Sequence, residues 1–315
     1  MIAIDFLSKG LAAMARAHRV NTMSGHLGAA VVAGYFIGEL HPNLDDRIFK
    51  GIEAEFERIM RGESVFSPGE TAGITAGEMF EDFPKEAPQE HLIEGIAEAL
   101  ADNIDQTHES GHNVIFASIA IRALKDHPDL AMPAVVQGIR KLIVGFDGSS
   151  PGSGYYGKEK GRIDGRKIPL TEDDSFPPYP NLESMANTVL DELVENAAQR
   201  RQGFGGLVHV INHAAALVEL ANYGYPELAR QGLPAHHQHL QLFRTLPDLA
   251  DELETEDLPE EDPRTPAFWE SGSLRRNPAF LTHRIKTIYG FDTLIQRVED
   301  TAKHQQGNHN LRYFM

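Results

Sequence analysis

Gly203 to Pro226 reads GFGGLVHVINHAAALVELANYGYP and sets His209 and His213 one helical turn apart in an otherwise apolar segment. Residues at i and i+4 of a helix share a face. Val208, Ile211, Ala215, Leu217, Val218 and Leu220 surround the pair, so that face lies against a core, and Glu219 follows on the same segment.

Outward from this helix, the rest of the chain repeats its pattern. Ile4, Leu7, Leu11, Met14 and Ala15 mark an amphipathic helix that ends near His18. A second is expected from His26 to before Pro42, with Ser24 as its cap, and a third from about Leu44 to Met60. After a Gly/Pro-interrupted loop from Gly62 to Pro88, helices are predicted through Ile93 to Ile104, from His112, and through Val135, Ile139 and Leu142. Gly25-His26 precedes His41-Pro42-Asn43-Leu44 by the same interval that separates Gly111-His112 from His127-Pro128-Asp129-Leu130. That agreement implies an internal repeat. A looser third copy runs from Leu182 through the opening stretch to Tyr225-Pro226-Glu227-Leu228, with its register slipped by one residue, so either His209 or His213 is the counterpart of His26 and His112. Phe280 to Val298 reads as a partial fourth unit carrying His283.

These units cannot bury their apolar faces alone. The expected fold is all-α, one domain over 1–315, an array or toroid of three related helical units at about 1–61, 88–145 and 181–246. Gly145 to Pro180 is too rich in glycine and proline for a helix and reads as a loop or lid over about 146–180. The acidic run within about 247–266 reads as a solvated linker.

Composition narrows the chemistry. The 315 residues include no cysteine, so thiolate nucleophiles, disulfides and cysteine-bound zinc are excluded and any metal must use His, Asp or Glu. A formal charge of −17 opposes a phosphate backbone, so nucleic acid is not an expected partner. Leu27 to Leu40, the longest weakly polar run, is too short for a bilayer, and the N-terminus lacks a basic leader pattern. A cytoplasmic protein with a small-molecule substrate and no membrane partner is the expectation.

Candidate catalytic residues are His26, His112, His209, His213, Glu109, Glu219, Tyr155 and Tyr156. Histidines at helix starts face a positive dipole that disfavours imidazolium, and neutral imidazole binds metal or accepts a proton. His112, His209 and His213 are the candidate ligands for zinc or iron, with Glu109 or Glu219 as a general base. Alternatively, each histidine caps its helix and ties it to a neighbour. His108-Glu109-Ser110-Gly111-His112 matches H-E-x-x-H, but Ser110-Gly111 looks like a helix start and a zinc protease needs the whole motif inside a helix. Tyr155 and Tyr156, with nearby Lys158, Lys160, Arg162, Arg166 and Lys167, are placed to close the site. His236, His237 and His239 follow Pro234 in the first turn of an expected helix and are read as surface metal binders or simply exposed, with an inward-pointing His236 as the alternative, while His41 and His127 belong to turns.

His209, His213 and Glu219 reproduce the H-x-x-x-H-x-x-x-x-x-E pattern of questin-oxidase-like proteins, and His26-Leu27 opening an Ala-rich helix is similar to their early Asn-His-Leu-Pro-Met segment. The resemblance covers these two segments; Ser24-Gly25 stands where the family has asparagine, and the later proline is absent. It implies an all-helical oxidoreductase that cleaves rings of planar polyketide quinones with NADPH and O2. The runner-up functions are a metal-dependent hydrolase or lyase and a non-catalytic helical scaffold.

Overall fold

The computed structural model describes residues 1–170, 175–252, 261–271, 278 and 280–315. Its elements in order are α1 (Ile4–Ala17), α2 (Gly25–Leu40), α3 (Asp46–Met60), α4 (Ala76–Met79), α5 (Glu94–Ala101), α6 (His112–Asp126), α7 (Pro133–Val144), β1 (Ser153–Tyr155), β2 (Arg162–Asp164), α8 (Leu182–Asn196), α9 (Gly206–Asn222), α10 (Pro226–Gln231), α11 (Leu233–Arg244), α12 (Pro266–Glu270), α13 (His283–Leu294) and α14 (Thr301–Asn310). The protein is mostly helical. The middle of the acidic run, 253–260, lies outside the described residues.

Four helices form the interior. α2 packs on α6, α6 on α9, α9 on α13, and α13 returns to α2. Sequence dictates this placement for α2 and α9, which are apolar all round and bury nearly every residue, whereas α1 and α3 have one apolar stripe and lie outside. α13 is an exception. It buries Arg284, Lys286, Thr287, Asp292 and Thr293, polar residues that a hydrophobicity pattern assigns to solvent. Partners compensate for this: Arg284 lies 3.4 Å from the buried Glu55 of α3, and Asp292 bonds His41 at 2.7 Å and also Arg264. Phe280 to Val298 therefore supplies a complete inner helix in place of the partial unit expected from sequence.

Outer helices approach closely where glycines permit it. α1 crosses α2 at Gly10 and Gly28, and a Cβ on Gly28 would lie 2.3 Å from the Gly10 carbonyl oxygen and 2.6 Å from Met14. α7 crosses α1 at Gly138, where a Cβ would meet the Ala15 carbonyl at 2.4 Å.

The segment after α7 is not a bare loop. β1 and β2 pair antiparallel, with Gly154 opposite Ile163, so two short strands qualify the all-α expectation. This hairpin braces two inner helices. Glu109 N–H donates to Ser150 O at 2.7 Å and Ser110 N–H to Pro151 O at 3.0 Å just before α6; Tyr155 N–H donates to Gln202 O at 2.8 Å and Phe204 N–H to Ser153 O at 2.9 Å just before α9.

Gly28→Ala is expected to force α1 and α2 apart and cost about 2 kcal/mol. Thermal unfolding followed by circular dichroism should show a fall of roughly 5 °C; an unchanged midpoint would mean that the crossing is looser than described.

Candidate functional site

The inner helices bring four histidines together at their starts. His26 is the second residue of α2, His112 the first of α6 and His283 the first of α13, while His209 stands in the first turns of α9. His112 Nε2 lies 2.7 Å from His26 Nε2 and 3.0 Å from His209 Nε2. One ring nitrogen from each of His26, His209 and His283 lies within 4.8 Å of the others. His26, His112 and His209 are buried, and His283 is partly exposed. Phe66 stacks on His26 with ring centroids 3.9 Å apart and meets His283 edge-on at 5.5 Å, while the Ser24 hydroxyl donates to Phe66 O at 3.1 Å.

Local backbone explains the aim of these rings. Glu109, Ser110 and Gly111 all have positive φ before α6, and Phe204, Gly205 and Gly206 have positive φ before α9. Such conformations are costly for residues with a Cβ and persist only where their surroundings enforce them. The hairpin supplies that enforcement. Each turn also presents a carbonyl backward: His112 Nδ1 bonds Glu109 O and His209 Nδ1 bonds Gly205 O. A Cβ on Gly205 would lie 2.4 Å from the His209 ring, so glycine is needed for closeness as well as for φ.

A carbonyl can only accept, so both Nδ1 atoms must carry the proton and both Nε2 atoms present lone pairs. His112 and His209 therefore aim lone pairs at each other across 3.0 Å. Protonation does not relieve the repulsion easily, since burial first, and then the charge of Lys286 and the neighbouring histidines, hold His26, His112 and His209 well below the ordinary imidazole pKa. The fully buried Lys286 bonds His26 Nδ1, and burial likewise lowers its pKa well below the usual range.

Below the histidines, α6, α9 and α13 border a cavity of about 20 Å³ whose wall includes Ile115, Ile119, Asn212, Glu219, Lys286 and Tyr289. Glu219 sits at its far end with Arg122 Nη1 at 3.2 Å and the Tyr289 hydroxyl as a second donor. Arg122 reaches Tyr289 Oη at 2.9 Å and lies over the Phe36 ring at 3.8 Å. Burial raises the Glu219 pKa, and Arg122 opposes that shift.

The other sequence candidates lie elsewhere. His213 turns away from the four-histidine group toward α11, where its Nδ1 meets His239 Nδ1 at 3.3 Å. His236, His237 and His239 are buried, contrary to the surface expectation. α11 packs that face against α9 and the chain near Phe176, and their Nε2 atoms bond Val210 O, Phe176 O and Phe204 O at 3.0, 3.0 and 2.8 Å. Glu109 contributes its carbonyl; its half-buried carboxylate, with its pKa raised by burial, feels Asp164 and Arg166 instead. Tyr155 and Tyr156 bond Glu252 and Thr245 and do not close over the histidines, because the hairpin braces helix starts. The H-E-x-x-H match fails as a helical motif: α6 begins at His112, and His108 Nδ1 bonds Ser149 O at 3.2 Å. Sequence reasoning did not single out Arg122, a cation within the apolar run of α6, or Lys286, which sits among other polar residues of α13 and reads as solvent-facing.

No family model, curated protein or solved structure matches this chain. No helix among the described residues is long and apolar enough to cross a membrane.

Burial lowers the pKa of His236 to about 3 and of His239 to about 4. Unfolded imidazoles take up protons near pH 6.5, so below that pH the unfolded chain binds more protons than the folded one. Stability is therefore complete above about pH 6.5 and lost as pH falls toward 4, by up to about 1.4 kcal/mol per pH unit for each such histidine. Urea midpoints measured from pH 7 to 4 should fall, and the slope should be shallower in His239→Gln.

Proposed function

We propose that this chain is a non-haem iron oxygenase acting on a small, planar, largely apolar organic molecule, with His26, His112, His209 and His283 holding the metal. The observation that carries this reading is the pair of carbonyl-fixed imidazoles whose lone-pair-bearing Nε2 atoms face each other at 3.0 Å. A cation between them converts a repulsion into two bonds, and the carbonyls behind them are the usual outer partners of metal-bound histidine.

The number of ligands favours iron over zinc, and the 2.7 and 3.0 Å separations are short enough for one ion to be shared by the imidazoles. Four imidazoles would also fill a tetrahedral zinc site, whereas a catalytic zinc keeps one position open. A six-coordinate iron would keep two positions, enough for an organic oxygen and dioxygen. Bound iron would supply electrons to dioxygen at those positions. The protein's own residues hold the imidazoles in one tautomer and pack Phe66 and Phe116 against His26, and no carboxylate among the described residues joins the four histidines, which favours anionic oxygen ligands such as a phenolate.

The hydrolase alternative needs a carboxylate base, and Glu109 faces away while Glu219 is engaged by Arg122 and Tyr289. The cyclic packing of α2, α6, α9 and α13 supports a toroid of repeated units whose starts share one centre. NADPH belongs to this proposal as the reductant implied by the family resemblance.

Elemental analysis of untagged protein should give one iron per chain, reduced at least tenfold in His112→Ala and His209→Ala but retained in His213→Ala. Stoichiometric zinc with no iron would overturn the oxygenase assignment, and retention of metal in both of the first two variants would overturn the ligand set.

A further inference from the structure

Asn212 is 4% exposed and lines the cavity between α6, α9 and α13, yet neither its Oδ1 nor its Nδ2 has a hydrogen-bond partner among the described residues. Leaving a buried amide unsatisfied incurs its desolvation penalty with no compensating bond. Its orientation is constrained, since a Cβ on Gly290 would lie 2.3 Å from Asn212 Oδ1, and only glycine there leaves room for the amide. The cavity measures about 20 Å³, and about 10–15 Å³ suffices for one water when two to four polar groups surround it. Asn212, Lys286, Ser118, Glu219 and Tyr289 all contribute to its wall. Dioxygen or a hydrocarbon group would leave the amide as poorly satisfied as a void does. The ligand this wall calls for is an oxygen that both donates and accepts.

We propose that the chamber is a binding site for one ordered water held by Asn212, whose amide supplies both a donor and an acceptor. Asn212 stands between the two polar layers of the interior: it follows His209 by less than a turn and precedes Glu219 by about two turns of the same helix.

Two measurements on metal-free protein are independent of the iron assignment. A crystal structure showing solvent should contain one water within hydrogen-bonding distance of Asn212 Nδ2 or Oδ1; a dry chamber overturns the proposal. Asn212→Leu keeps the branching and the number of heavy atoms but has no polar atoms, so it cannot hold the water. If the water is present, the variant should melt several degrees below wild type, and Asn212→Ser, which leaves room for water, should recover part of the loss. A dry, orphaned amide predicts the opposite, a higher melting temperature for Asn212→Leu, and that result rejects the site.

Discussion

Two neutral imidazoles held with lone pairs facing in a buried interior are the constraint to which the other parts of the structure answer. Left alone, His112 and His209 would rotate apart or exchange their protons. Carbonyl oxygens behind both rings prevent this, and those carbonyls are aimed by left-handed turns whose cost the hairpin at 150–164 absorbs through backbone hydrogen bonds. The chain of cause runs from the hairpin to the turns, from the turns to the carbonyls, and from the carbonyls to the tautomers.

The inner helices obey two demands at once. They must be apolar all round to sit inside other helices, and they must carry polar groups at matched depths. The interior satisfies both by layering: histidines and Lys286 at the helix starts, a narrow chamber beneath them, then Glu219, Arg122 and Tyr289 locked together. Phe36, Ile115, Ile119 and Phe116 separate these layers from the outer helices. Desolvation is therefore the dominant influence on most titratable groups in this column, lowering the histidine and lysine pKa values and raising those of Glu219 and Tyr289.

Much of the helical order was legible in the sequence because α2, α6 and α9 carry long apolar runs with turn signals between them, and the matched intervals after His26 and His112 singled out equivalent helix starts. The ambiguity between His209 and His213 could not be resolved by spacing. It depends on the turn at Phe204–Gly206, where three positive φ values set the direction of α9. His283 was recognised as part of a fourth segment, but its helix was underestimated because Arg284, Lys286 and Asp292 look like solvent-facing residues until Glu55, His26, His41 and Arg264 are placed beside them. The HHQH run misled for the converse reason: α11 buries these polar rings by giving each Nε2 a backbone carbonyl from elsewhere in the chain, a pairing that periodicity does not encode.

The glycine-rich hairpin has a consequence for how this fold can change. Surface loops are ordinarily where insertions accumulate without effect, because nothing central leans on them. Here Ser150, Pro151, Ser153 and Tyr155 hold the turns that lead into both α6 and α9. Lengthening or cutting this segment would retune the directions of two imidazoles at once, so a region that looks expendable along the chain is among the least free to drift.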